Sequence, residues 1–277
     1  MNVNMYEHPA TRYNLGKLHI RGARIVEAGD GYLACGDVGR GRLAEPADIV
    51  AAVLEELDMR RDLAGRRVMV TAGPTVEPID PVRYLTNRSS GKTGYAIARA
   101  AAARGADVTL VSGPVALPEP EGMRTVHVET AREMLSAAQR AFAAADIAVF
   151  SAAVADMRPR EAAAHKLKKG AGDARLDTLE LVENPDILAT LGAAKRPGQV
   201  VVGFAAETDD VVANAQRKLS SKHADLVVGN VVGGGRAFGT DDNEVWFVTA
   251  EETYGLPLMS KDRLADRILD VAASFLP

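Results

Sequence analysis

One cysteine, Cys35, stands in a chain of 277 residues, and aromatic side chains make up only 5% of it. A lone thiol closes no internal disulfide, so the chain reads as a protein of the reducing cytoplasm. No apolar run is long enough to cross a bilayer, and no charged-then-apolar leader is recognisable. Cationic excess is lacking too: 33 Lys and Arg against 37 Asp and Glu leave a formal charge of −4. That balance offers no global field to duplex nucleic acid or an anionic membrane, so neither is expected as a partner and any anionic ligand must be met locally. With few aromatics, the core has to be built from Ala, Val, Leu and Ile, within a hydrophobic content of 47% that is ordinary for a globular protein.

The two glycine patterns that most often hold nucleotides are also missing. The stretch TNRSSGKTG (86–94) has Gly91, Lys92 and Thr93 in P-loop order, but a P-loop needs a glycine where Thr86 stands. It also needs a strand directly ahead, whereas the apolar run VMVTA ends at Ala72. The dinucleotide pattern G-x-G-x-x-G is absent after that run as well.

What is present is alternation. The charged segment 58–67, DMRRDLAGRR, separates a glycine-rich block with one helix (EPADIVAAVLEEL) from the rest, which sets a boundary between residues 1–64 and 65–277. The first block is too small to bury much by itself. Beyond it, strand-length runs (VMVTA, DVTLVS, TVHVE, DIAVFS, TLELV, VVVGF, DLVVGN, VWFVTA) alternate with helical patterns beginning near GYAIA, TAREML, NPDIL, DDVVAN and SKDRLA. Thr130 and Glu133 have capping-box spacing. Near-continuous β-branched strands joined through helices predict an α/β domain with a doubly wound, mostly parallel, Rossmann-like sheet and helices on both faces. Ligands of such a domain sit in the loops at the carboxyl ends of its strands.

Candidate site residues follow from that placement. The long loop after VMVTA carries Glu77, Asp80, Arg83 and Asn87 and enters a helix at Ser89 or Ser90, whose N-terminal N–H groups and Lys92 favour an anion. Ser151, Ala152 and Asp156 follow the strand DIAVFS, with Lys166, Lys168 and Lys169 downstream. In ENPDIL, Asn184 reads as N-cap and Pro185 as the first helical residue. Lys218 and Lys222 are four apart, on one helical face; taken alone, such a pair is solvated surface. GGGRAFGTDDN (233–243) reads as a hairpin or a flap. On residues alone, a ligase, a dinucleotide-dependent reductase and a non-catalytic subunit all stay open.

Together, TAGPTVEPIDPVRYLTNRSSGKTGYAIA, AAVADMRP, KLKK, ENPDIL, GFAAET, RKLSSKHADLVVGN and FGTDDNEV resemble, in order, the phosphopantothenate–cysteine ligase half of the bacterial bifunctional coenzyme A biosynthesis flavoprotein. MNVNMY and ACGDVGRGRL are similar to the C-terminal part of its decarboxylase half, so residues 1–64 look like a remnant of that domain, with Cys35 in the position of the family's active-site cysteine. In the family the FMN-binding strands and catalytic histidine come earlier, so neither FMN binding nor decarboxylation is expected of this chain.

The resemblance implies joining of 4′-phosphopantothenate to L-cysteine with CTP and Mg2+, through an acyl-cytidylate, by a homodimer. It implies that Lys166 assists formation of the acyl-cytidylate, while Asn87 and Arg83 serve the second step. It implies a nucleotide pocket of Ser151, Ala152, Asp156, Lys166, Pro185, Asp186, Ile187, Leu188, Phe204, Lys218 and Lys222. Asp156 would meet the phosphates only through a cation, and a flap from Phe238 to Asn243 would shield the intermediate from water.

Overall fold

The computed structural model describes residues 1–21, 23–58, 61–168, 178–231 and 242–277. It divides into two compact units, Met1–Arg61 and Asp62–Pro277. The first holds α1 (Val3–Glu7), α2 (Pro9–Ile20), an antiparallel hairpin of β1 (Gly29–Tyr32) and β2 (Val38–Arg42), and α3 (Pro46–Asp58). Only α3 was expected. The apolar residues of α2 do not gather on one face, so no periodicity announces it. Met5, Tyr13, Leu43 and Val53 are exposed in this unit, and Ala44 is its one buried apolar side chain among the described residues.

The second unit is built on β3 (Arg67–Ala72), β6 (Asp107–Ser112), β7 (Arg124–His127), β8 (Ile147–Phe150), β11 (Val200–Glu207), β12 (Leu226–Val231), β13 (Asp242–Val248) and β14 (Thr253–Ser260). They form one sheet in the order β14-β13-β12-β11-β8-β3-β6-β7. The strands from β12 to β7 are parallel, and β13 and β14 add an antiparallel edge. Counted in chain order, the parallel strands run 3-2-1-4-5-6, the doubly wound arrangement. Two ribbons lie outside the sheet: β4 (Val76–Pro78) with β5 (Tyr84–Thr86), and β9 (Met157–Pro159) with β10 (Leu181–Glu183).

Two sequence expectations are corrected here. Among the described residues TLELV gives no strand to the eight-stranded sheet; its end, in β10, pairs with β9. TYGLPLMS was not foreseen as a strand, because Gly255 and Pro257 break the pattern, yet it forms β14 at the edge of the sheet, where proline is tolerated.

Strand alternation sorts the core. Val68, Val70, Ile147, Val149 and Val202 pack on one face against α4 (Lys92–Ala103) and α8 (Lys261–Ser274). Met69, Ala148, Phe150 and Val201 face α5 (Ala131–Phe142) and α6 (Ile187–Ala193) on the other, where α7 (Val211–Ser221) also covers Ala205 and Val227. The capping box of α5 is present: Thr130 Oγ1 accepts from the Glu133 N–H, and the Glu133 carboxylate accepts from the Thr130 N–H. Buried Arg104 closes the far end, bonding Asp62 and, at 2.9 Å, Asp270 of α8.

The N-cap of α4 is Gly91, not a serine; its φ of 76° is left-handed. One turn on, Gly94 lets α4 approach β3 so closely that a Cβ there would lie 2.5 Å from Ala72 Cβ. Gly94→Ala is therefore expected to destabilise the second unit by about 1–3 kcal/mol through overpacking, against an intrinsic helix gain of about 1 kcal/mol. The urea midpoint measures the net loss, and an unchanged or raised midpoint would refute this packing.

Candidate functional site

In a doubly wound sheet the strand order reverses between the first and fourth parallel strands, here β3 and β8, and their diverging connections leave a crevice. A cavity of about 870 Å3 opens at that point. The loops leaving the two strands are bonded to each other. The Ala153 N–H donates to Gly73 O at 2.9 Å, the Thr75 N–H to Ala153 O at 3.3 Å, and the Ala155 N–H to Thr75 Oγ1 at 2.9 Å. Asn87, just after β5, donates from Nδ2 to Val154 O at 2.9 Å and so spans from one loop to the other.

Small residues at 151–155 leave this backbone accessible as the cavity floor. The start of α4 forms another wall, with Ser89, Ser90, Gly91 and Lys92 lining the cavity. The N-cap Gly91 has no side chain to bond the first turn of α4, and Ser89 Oγ accepts the Gly91 N–H at 3.3 Å. The positive end of that helix is thus presented to the cavity.

The β9–β10 side differs from the sequence expectation in its helix cap. Asn184 is a strut rather than a cap. Its Nδ2 donates to Ala155 O at 2.8 Å, its N–H donates to Asp156 O at 2.8 Å, and its Oδ1 accepts from Arg158 Nη1 at 3.1 Å. The N-cap of α6 is Asp186, whose Oδ1 accepts from the Ala189 N–H at 2.8 Å, and Pro185 precedes it. A carboxylate therefore already occupies this helix start, which is not an open phosphate site. Asp186 Oδ2 also pairs with Lys222 Nζ at 2.8 Å. Burial disfavours the Asp186 charge, but Lys222, the Ala189 N–H and Lys218 outweigh it and hold the carboxyl below its usual range.

Lys218 lines the cavity with its Nζ 2.5 Å from Phe204 O. Its burial, opposed by Asp186 and Glu207 and reinforced by Lys222, lowers its pKa from 10.5. Lys222 is the C-cap residue of α7 and reaches the site only through Asp186.

The cavity thus brings together Asn87, Ser151, Ala152, Asp156, Pro185, Asp186, Ile187, Leu188, Phe204 and Lys218. Arg83, Lys166 and Lys222 are not among its lining residues. Lys166 is exposed, and Arg83 pairs with Asp80 at 2.7 Å. Lys169 and the flap from Phe238 to Asp241 lie outside the described residues, while Asp242 and Asn243 begin β13 and Asn243 is buried. Among the described residues no three His, Cys, Asp or Glu cluster as a metal cage.

Buried Lys261 and also Asn230 line the cavity without any signal in the sequence reading, and Asn243, expected as the end of a flap, lines it from the start of β13. They arrive there because β13 starts and β14 ends at the same sheet edge where β12 finishes. Recognising TYGLPLMS as a strand would have exposed them. In the first unit, exposed Cys35 lies 3.4 Å from both Asn2 Nδ2 and Asp37 Oδ2.

The fold and cavity define a doubly wound α/β protein with a ligand site at the carboxyl edge of its sheet. Residues 63–276 match the DNA/pantothenate metabolism flavoprotein C-terminal domain, and residues 1–58 match the flavoprotein family. The whole chain is 45% identical over 291 residues to the coenzyme A biosynthesis bifunctional protein CoaBC of Mycobacterium tuberculosis, covering 69% of that protein. Against its counterpart in Bacillus subtilis, identity is 44% over 279 residues, covering 99% of this chain and 68% of the relative. A crystal structure of the C-terminal domain of a CoaBC protein aligns at 41% identity and TM-score 0.66, covering 77% of this chain and 97% of that one. The chain belongs to this CoaBC family.

Because burial disfavours its charge, Lys218 should take up a proton when an anion binds beside it, at pH values around and above its lowered pKa. Calorimetric titrations in buffers of different ionisation enthalpy are expected to show that uptake, and Lys218→Met to abolish it. Asp186, with its depressed pKa, contributes stability that is present above the usual carboxylate range and lost as pH falls through the depressed value. Asp186→Asn should accordingly flatten the acid limb of a stability-versus-pH curve.

Proposed function

We propose that this chain joins 4′-phosphopantothenate to L-cysteine using CTP, with residues 65–277 as the ligase and residues 1–64 as the tail of a flavin-dependent decarboxylase domain. Family membership supports the place in coenzyme A biosynthesis. The observation that carries the reaction is the cavity that joins Asn87, the start of α4 and Lys218 at the switch point of the sheet.

A carboxylate is a poor electrophile at neutral pH, so it is activated first. Its oxygen attacks the α-phosphorus of CTP, a new P–O bond forms, the bond to the β-phosphate breaks, and pyrophosphate leaves. The amine of cysteine then attacks the acyl carbon, a C–N bond forms, the acyl C–O bond breaks, and CMP leaves as the amine gives up its proton. Two anions must be aligned in the first step, so positive groups and fixed geometry matter most.

In this reading Lys218 and the α4 start receive phosphate charge, Lys166 assists formation of the acyl-cytidylate, and Lys222 holds Asp186. Ser151, Ala152, Pro185, Ile187, Leu188 and Phe204 enclose the nucleoside. Asn87, fixed by Val154 O, binds the pantothenate part and holds the mixed anhydride for the amine, and Arg83 serves the same step. A divalent ion fits this donor set as one bound mainly by triphosphate and water, with Asp156 as a single protein carboxylate; it would supply charge neutralisation. A homodimer formed by residues 65–277 and a cytoplasmic location belong to the same proposal.

Omitting cysteine should let phosphopantothenate and CTP yield pyrophosphate and an acyl-cytidylate detectable by mass. Asn87→Asp replaces the donor to Val154 O by a repelled carboxylate, and is expected to slow cysteine-dependent CMP release by about 100-fold while pyrophosphate release persists. Full-rate CMP release in this variant, or no acyl-nucleotide from the unmodified chain, would refute the proposal.

A further inference from the structure

Lys166 and its neighbours Leu167 and Lys168 belong to no helix or strand. An exposed lysine on such a segment needs an anchor if it is to reach one phosphate repeatedly. The anchor lies in the turn between β4 and β5. Asp80 is 4% exposed, and its Oδ1 accepts from the N–H groups of Val82 at 2.7 Å and Arg83 at 2.9 Å. Those two bonds make an ordinary aspartate turn. Its Oδ2 does something else: it accepts from Arg83 Nη1 at 2.7 Å and from the Leu167 N–H at 3.1 Å.

Arg83 Nη1 also donates to Leu167 O at 3.2 Å, so the Asp80–Arg83 pair holds both backbone polar groups of Leu167. The Leu167 side chain is 5% exposed, whereas Lys166 and Lys168 on either side are exposed. A second tie joins the same segments, from the Ala163 N–H to Ile79 O at 2.9 Å. The ribbon that fixes Leu167 at its turn delivers Asn87 at its end, immediately after β5. Burial opposes the Asp80 charge, but the N–H groups of Val82, Leu167 and Arg83 outweigh it and keep the carboxyl below its usual range, so it remains an acceptor at neutral pH.

We infer that Asp80 is a positioning residue for the first half-reaction: through Leu167 it sets where Lys166 stands relative to Asn87. The inference rests on the ligase reading for the role of Lys166. Asp80→Asn isolates the effect, because Oδ1 can still serve the turn while the new amide presents a donor where Arg83 and Leu167 also donate.

The experiment uses the full chain and phosphopantothenate-dependent pyrophosphate release. Asp80→Asn is expected to lower kcat by about 10- to 100-fold, the scale of a small misplacement of a reacting group, with KM for CTP within about threefold. Lys166→Gln should do likewise, and the double variant should be no slower than Lys166→Gln alone. Leu167→Pro, which deletes the donor and leaves Asp80 and Arg83 in place, is the second variant and should reproduce the kcat loss.

Hydrogen exchange gives a readout independent of turnover. The Leu167 amide should exchange at least about tenfold faster in Asp80→Asn while the amides of β3 and β8 keep their protection. An unaltered Leu167 amide, a normal kcat in Asp80→Asn, or losses that multiply in the double variant would overturn the inference. An unmodified chain that releases no pyrophosphate while the Leu167 amide responds as expected would instead refute the ligase reading and leave the clamp standing.

Discussion

The site depends on a set of hydrogen bonds between two loops. Residues 73–75 and 153–155 leave adjacent parallel strands and continue to pair after the sheet has ended, through Gly73, Ala153, Thr75 and Ala155. Without this pairing, backbone polar groups at the crevice would need water or ligand to satisfy them. With it, the chain after β8 stays flat and close to β3, and Asn87 has a fixed carbonyl to hold.

Charge at the site is arranged around the same floor. Lys218 is kept partly buried against a carbonyl, and the carboxylates of Asp186 and Glu207 offset part of the cost. The start of α4 adds the positive end of its dipole at the cavity wall. The result is a pocket with Lys218 and the α4 start on its walls, which suits an anionic ligand. Because the net charge of the chain is −4, this is a local effect and not a property of the whole surface.

Much of the fold was legible because two periodicities alternate cleanly. Val68 and Val70 against Met69 reads as a strand buried on both faces, and the capping box at Thr130 marks the start of a helix. The caps of α4 and α6 were harder to read. Ser89, Ser90 and Asn184 are all good capping residues, and only tertiary contacts decide that Gly91 and Asp186 take those places. Asn184 is drawn away by Ala155 O and Arg158, bonds to residues almost thirty positions earlier. Lys261 was invisible, and Asn243 legible only as the end of a flap, for another reason: their places depend on an antiparallel edge whose last strand contains glycine and proline. Asp80 was visible as a loop carboxylate, but its partner Leu167 is 87 positions away, beyond any local pattern.

The edge strand β14 bears on how copies of the molecule behave when crowded. Pro257 has no N–H to offer, so the outermost row of donors is interrupted near its middle. An extended segment from another chain would meet a gap there instead of a continuous template. Association along this rim must then rest on side chains such as Leu258, with shape deciding who is admitted.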